Sequence, residues 1–278
     1  MTISKGNRIV GLLFIFLGVI SINFSFRNAA DTFKVIKITG EIVYKKNNKQ
    51  MLQGDQFSEN EELLFRTNES RAAVISVQKG RFILAPGVDK NKLSVKSNLL
   101  PASSNISSRD GSILNLLDLQ NYFNGKVVIL NRHKVFVGKE NFPQTEKAFF
   151  YIKYNYNGEE IPKKLSFENE NIIFDRKEIL SIDGKPINLQ TMDCKLYYMS
   201  EKKLSTFVND FVLVLPENEN LRSELEILFG EISAKSSKDK LDEVMSYLND
   251  FYGRANKTNV VSWLQDNMGI ENLNHHTK

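Results

Sequence analysis

Only one cysteine, one tryptophan and three histidines occur among 278 residues. A lone cysteine, Cys194, excludes an intrachain disulfide framework and any zinc site built on cysteine pairs. No two glycines stand one residue apart, so the dinucleotide-binding fingerprint is missing. The P-loop, the Gly-x-Ser-x-Gly elbow, the His-Glu-x-x-His zinc motif and the EF-hand loop are missing too. These gaps remove the common enzyme signatures, and no catalytic residue, cofactor or metal is expected. What is present is ordinary globular material, 41% hydrophobic and 25% charged, unlike a disordered chain. Its length allows one large domain or two to three small ones and a core that needs no staples.

The long apolar run lies at the start. Ile9 to Ile22 is interrupted only by two glycines and a serine, and Lys5, Arg8 and Arg27 are the only charges among residues 1–30. Basic residues ahead of an apolar run fit export with the N-terminus inside. Fourteen residues suit a signal peptide, with Asn28-Ala29-Ala30 as an imperfect cleavage site. If Phe24 and Phe26 extend the run, it reaches about 18 residues and serves as an uncleaved anchor through residues 9–26. No cysteine follows the run, so a lipoprotein is excluded. Both readings place the rest of the chain across a membrane, on the periplasmic side of a bacterial inner membrane or free after cleavage. The formal charge of +4 changes accordingly. Removing three basic residues from 37 leaves 34 against 33 acids, so residues 31–278 carry a net of +1. No anionic partner is implied by the total.

Residues 31–100 read as short strands separated by turns. Val35 to Ile38 and Glu41 to Tyr44 flank Gly40; Met51 to Phe57 contains Gly54-Asp55; Ala72 to Val77 and Arg81 to Ala85 flank Lys79-Gly80, and Pro86-Gly87 closes the series. Strands of this length and spacing suggest an all-β unit rather than βαβ repeats. The segments Gly40-Glu41-Ile42, Gly54-Asp55-Gln56-Phe57 and Glu69-Ser70-Arg71-Ala72-Ala73-Val74, followed by Phe82-Ile83-Leu84, resemble the FecR-like domain family over residues 33–97. The resemblance implies a β-solenoid-like or sandwich unit on the outer side of a bacterial inner membrane. The family's signalling members add a cytoplasmic segment that controls a sigma factor. Here eight residues precede the apolar run, and no anti-sigma function is expected.

Residues 101–112 are rich in serine and asparagine and read as a linker. Residues 113–216 form a second β-rich module of antiparallel sandwich or barrel type. It opens with a short helix from Ile113 to Phe123, capped by Ser112, and a hairpin around Asn131-Arg132-His133. Ala148, Phe150, Ile152, Tyr154 and Tyr156 share one face of a period-two strand that ends in Asn157-Gly158, a strong hairpin signal. Asp183-Gly184 marks another. After Pro216 the period becomes helical. Leu221, Leu225, Leu228 and Phe229 form one stripe; Leu241, Val244, Met245, Leu248 and Tyr252 form a second, with Ser236 and Asp239 as a capping box and Gly253 as a stop; Val260, Val261, Leu264 and Met268 form a third. Residues 217–271 are thus a helical region and 272–278 a polar tail. The fold class is mainly β with an α-helical C-terminus (α+β).

The chemistry-bearing residues offer little convergence. Cys194 needs a histidine base, and His133 reads as a turn residue while His275 and His276 lie in the tail. Lys195 beside Cys194 would lower the thiol pKa. Glu159-Glu160 and Glu168 with Glu170 flank hairpin turns, where charge is expected. The most binding-competent stretch is Phe149 to Tyr156, from which Tyr151, Lys153, Tyr154 and Tyr156 are the candidate surface residues. Scattered lysines and export argue against nucleic acid. The expectation is a non-catalytic envelope protein that binds or scaffolds another envelope protein. A membrane-anchored sensor without an anti-sigma domain and a hydrolase with unidentified acidic residues are the alternatives.

Overall fold

The computed structural model describes residues 31–86, 94–96, 98–101, 113 and 115–270. The apolar run near the N-terminus, most of the linker and the tail, with His275 and His276, lie outside the described residues. Among the described residues no helix is long and apolar enough to cross a membrane. The chain is mainly β, with its longer helices at the C-terminal end.

Among the described residues nine strands form the N-terminal unit: β1 (Thr32–Thr39), β2 (Ile42–Tyr44), β3 (Lys49–Gln50), β4 (Gln56–Ser58), β5 (Glu62–Phe65), β6 (Arg71–Ser76), β7 (Gly80–Ala85), β8 (Ser94–Lys96) and β9 (Asn98–Pro101). They pair into a five-stranded sheet of order β4-β1-β6-β7-β9 and a four-stranded sheet of order β3-β2-β5-β8. Phe33, Val35, Ala72, Val74 and Leu84 of the first sheet meet Ile42, Leu63 and Phe65 of the second in one core. Gly40 fixes the crossing between β1 and β2. Its φ is +73°, and a Cβ there would stand 2.6 Å from Ser70 Oγ and 2.9 Å from Ser70 Cα. The fully buried Ser70 hydroxyl accepts from the backbone N–H groups of Glu41 and Thr67.

The five-stranded sheet is covered on its other face as well. A β-bulge in β1 opposes Val35 to Val74 and Lys37 to Ala73, leaving Ile36 as the extra residue. A bulge breaks the period of two. Ile36 and Lys37 therefore both face away from the sandwich core, toward two helices. These are α3 (Asn218–Glu231) and α4 (Ser237–Phe251), which follow the short α1 (Leu116–Tyr122) and α2 (Arg176–Ile179) and precede α5 (Lys257–Met268). Ile36, Ala73 and Ile75 share a core with Leu221, Leu225, Leu228, Val244, Leu248 and Trp263. Ser236 Oγ accepts from Asp239 N–H at 3.2 Å and starts α4 as its sequence predicts.

The second β region is built on a six-stranded sheet of order β13-β12-β18-β19-β10-β20. Its strands are β10 (Lys126–Val128), β12 (Phe149–Tyr156), β13 (Glu159–Lys164), β18 (Thr191–Met199), β19 (Ser205–Val214) and β20 (Arg254–Ala255). A three-stranded sheet, with β15 (Asn171–Asp175) between β11 (Arg132–Phe136) and β14 (Ser166–Glu168), packs with α1 on its inner face. The pair β16 (Ser181–Ile182) and β17 (Lys185–Pro186) completes the region. Asn157 and Gly158 have φ of 51° and 85°, as the tight turn between β12 and β13 requires.

Two sequence expectations are corrected here. β10 and β11 do not pair as a hairpin; β10 runs parallel to β19 and β20, so the large sheet is mixed. Val127 and Ile129 enter one core while Val128 and Leu130 enter the other, which requires a strand buried on both faces. The first helix begins at Leu116 with Asn115 as its cap, not Ser112. The helical region also returns two residues, β20, to the sheet edge.

Two buried charged groups join the N-terminal sheet to the helices. Arg81, whose side chain is 0% exposed, donates to Glu243 at 2.8 Å, Asp250 at 2.7 Å and Ser246 Oγ at 2.6 Å, all on α4. From the opposite direction, Glu224 on α3 accepts from Lys37 Nζ at 2.6 Å and from the hydroxyls of Tyr247 and Tyr252 at 2.6 and 2.7 Å. Removing one member of such a set leaves buried charge uncompensated. Arg81→Met is expected to lower unfolding free energy by about 3 kcal/mol in urea titration. Arg81→Lys should recover only part of it, because an ammonium lacks the planar fork that reaches three acceptors.

Candidate functional site

The outer face of the six-stranded sheet is where the candidate residues separate. In β12, Phe150, Ile152 and Tyr154 point into the core, and Phe149, Tyr151, Lys153 and Asn155 point outward. Tyr154 is 2% exposed and donates its hydroxyl to the Ile179 carbonyl at 2.7 Å. Burial pushes that phenol up to about 12. Tyr156 packs against the same core. Tyr154 is therefore removed from the candidate surface; Tyr156 is partly buried on the core side, and Tyr151 and Lys153 face outward.

Their outward neighbours come from strands distant in sequence. Tyr151 lies opposite Tyr197 of β18, and Tyr197 lies opposite Phe207 of β19. The Tyr151 and Tyr197 rings stack at 5.1 Å with an 11° interplanar angle, and Phe207 meets Tyr197 edge-on at 5.5 Å. The result is an aromatic row across three strands. Phe207 is 45% exposed and Leu204, in the adjoining turn, 65%. The Tyr151 hydroxyl bonds Ser205 Oγ at 2.6 Å. Lysines border the row: Lys153 stands 5.5 Å from the Tyr197 ring centre and Lys164 stands 4.5 Å from that of Phe149.

A second bulge creates this row. Pairing shifts between Leu196 opposite Asn209 and Tyr197 opposite Phe207, so Val208 is the inserted residue. Val208 is fully buried, and Asn209 donates to the carbonyls of Gln120 and Phe123 at the end of α1. Unbroken alternation would set Val208 opposite Tyr197; the bulge sets Phe207 there. Tyr197 and Phe207 were missed in sequence because neither bulge nor register is written in a single strand's period. The pair Tyr197-Tyr198, with one ring for each face, is the signal that was available.

Beside the row lies a shallow groove of about 340 Å³ whose lining includes Lys153, Asn155, Glu160, Asp193, Lys195 and Asp210. Lys153 and Glu160 pair at 2.6 Å, and that hydrogen bond raises the lysine pKa and lowers the carboxylate's. Two further acidic candidates are likewise committed to ion pairs: Glu168 with Lys134 at 2.8 Å and with Arg132, and Glu170 with Lys139 at 3.1 Å. Among the described residues no cluster of three histidine, cysteine, aspartate or glutamate side chains is arranged to hold a metal.

Cys194 and His133 both leave the surface. Cys194 alternates inward on β18 while Lys195 alternates outward, so the lysine does not activate it. Burial pushes the thiol up to about 12. His133 is a strand residue of β11 rather than a turn residue, 3% exposed, and shares a 2.6 Å hydrogen bond between Nε2 and the Tyr122 hydroxyl. Burial pulls it down to about 4. Comparison with protein-family models and with curated proteins gives no match.

Two measurements check these environments. A thiol reagent at pH 8 is expected to label Cys194 roughly a hundredfold more slowly in folded than in urea-unfolded protein, since the reactive thiolate is suppressed. For His133 the unfolded chain binds a proton below pH 6.5, and the folded chain does so only near pH 4. Stability present above pH 6.5 is therefore lost as pH falls through that window, by about 3 kcal/mol. The difference between the pH–stability profiles of wild type and His133→Gln should carry this component.

Proposed function

We propose that the chain is a non-catalytic binding or scaffold protein of the bacterial envelope, and that its partner, another envelope protein, docks on the outer face of the six-stranded sheet. The observation that carries the reading is the row Tyr151–Tyr197–Phe207 with Leu204 beside it. Exposed aromatic groups bordered by charge are the composition of interface hot spots, where large rigid rings lose little entropy on docking. Envelope placement rests on the apolar run Ile9 to Ile22 and on the resemblance of residues 33–97 to FecR-like domains. The hydrolase alternative has less support, because Glu160, Glu168 and Glu170 each answer a neighbouring cation.

A photo-crosslinking residue at position 204, on the edge of the row, should yield one dominant protein adduct in native membranes. Tyr197→Ser with Phe207→Ser should abolish it. Losing one hot-spot ring costs about 2 kcal/mol of binding, roughly a thirtyfold weaker Kd. The same pair should change folding stability little, since exposed cross-strand pairs contribute about 0.2–1 kcal/mol each. An adduct pattern unchanged by the double substitution would overturn the reading.

A further inference from the structure

A second concave site lies on the far side of the sheet from β12, where the N-terminal unit, β10 and the chain after α4 meet. The cleft measures about 340 Å³ and is lined by Arg71, Asn124, Lys126, Asn249, Asp250 and Arg254, among others. Three of these are cations, and each comes from a different part of the fold. Arg71 opens β6 of the N-terminal sheet, Lys126 opens β10, and Arg254 opens β20.

The charges in this cleft do not cancel. The Arg71 guanidinium lies 5.0 Å from the Phe251 ring centre and makes no ion pair or hydrogen bond among the described residues. A ring face leaves the guanidinium edge, with its N–H donors, open. The Lys126 ammonium also has no partner among the described residues. Arg254 donates to the carbonyls of Asn121, Tyr122 and Asn124, which satisfy its N–H groups without neutralising its charge. Burial holds its pKa below the usual guanidinium range. The carboxylate lining the cleft, Asp250, accepts from Arg81 at 2.7 Å; Arg81 also meets Glu243, which Lys235 approaches at 3.5 Å, so two cations stand behind these two carboxylates. The side-chain amides of Asn124 and Asn249 add neutral donors, and neither bonds a described residue.

The cleft is held in shape by its floor. Gly253 adopts φ of +129°, and a Cβ there would stand 2.5 Å from Lys126 Cβ and 2.8 Å from its carbonyl oxygen. The turn after α4 therefore lies directly on the base of the Lys126 side chain, and Val127 pairs with Arg254 one residue further on. Cationic groups fixed on rigid backbone are preorganised for an oxyanion.

We propose that this cleft binds a soluble phosphate group, free or as a small phosphate ester, with Arg71 and Lys126 as the direct cationic contacts and Arg254 as a fixed field. A doubly charged tetrahedral anion matches a guanidinium edge, an ammonium and two amides better than a single carboxylate does. Because Arg71 belongs to the N-terminal unit and Lys126 to the large sheet, bound phosphate ties the two together. This proposal does not depend on the aromatic row.

Inorganic phosphate is the probe. Isothermal titration of the full chain against phosphate, at ionic strength held constant with chloride, should give saturable one-site binding and a rise in melting temperature. Arg71→Gln with Lys126→Gln should weaken it by about tenfold or more, since charge-assisted contacts dominate. Lys126→Gln alone, at an exposed side chain, serves as the variant least able to disturb folding and should also weaken it. Lys153→Gln with Lys195→Gln, in the groove beside the aromatic row, should leave it unchanged. No saturable heat with phosphate, an equal effect of chloride, or full binding by the Arg71/Lys126 variant would each overturn the proposal.

Discussion

Everything else in the molecule depends on how the five-stranded sheet closes its second face. One face covers the sandwich core and needs no charge. The other meets α3 and α4 through Ile36, Ala73 and Ile75, with Arg81 and Lys37 among them. An arginine and a glutamate buried in one joint would be costly if either stood alone. Each is instead supplied with partners from the opposite side: Arg81 on the sheet meets Glu243 and Asp250 on α4, and Glu224 on α3 meets Lys37 on the sheet. Such pairs add less net stability than an apolar contact of equal size, but they reward only one orientation. Desolvation also drives the Tyr247 and Tyr252 phenols well above their usual range, with the neighbouring Glu224 carboxylate adding to the effect. Both phenols therefore stay protonated donors. The joint sets where α4 ends, and with it where Gly253 and Arg254 return to the large sheet.

Much of this architecture is legible in the sequence wherever a local rule suffices. Asn157-Gly158 gives a hairpin because both residues accept positive φ. Ser236 caps α4 because its hydroxyl is three residues from the N–H it accepts, and the stripe Leu241, Val244, Met245, Leu248 turns inward as a period of 3.6 requires. The inward set Phe150, Ile152, Tyr154 follows from alternation, which also shows why Tyr154 could not share a surface with Tyr151. The aromatic cluster is split between the two faces of the strand.

What was not legible is non-local. Val127 to Leu130 is an apolar run that fits a hairpin arm as well as a doubly buried parallel strand; only the helices that cover its second face decide between them. His133 looks polar beside Asn131 and Arg132, and its burial depends on Tyr122 reaching it from α1. Both bulges are invisible for the same reason. A bulge is a relation between two strands, and the strand that carries it still alternates on either side. Yet the bulge in β1 delivers Lys37 to Glu224, and the one in β19 delivers Phe207 to Tyr197. The features that give this fold its surfaces sit where the simplest periodic reading fails.

Charge makes the same point at a larger scale. A net of +1 over residues 31–278 describes a balanced chain, but balance is a sum and a binding site responds to the local field. Within the joint Lys37 is matched by Glu224, and Arg81 together with Lys235 by Glu243 and Asp250. Those matches engage Asp250, the carboxylate that lines the cleft. Arg71, Lys126 and Arg254 gather beside a carboxylate already turned toward Arg81. Neutralising the inside of the joint thus leaves its rim positive, and a near-neutral protein acquires a concentrated cationic site without any basic run in its sequence.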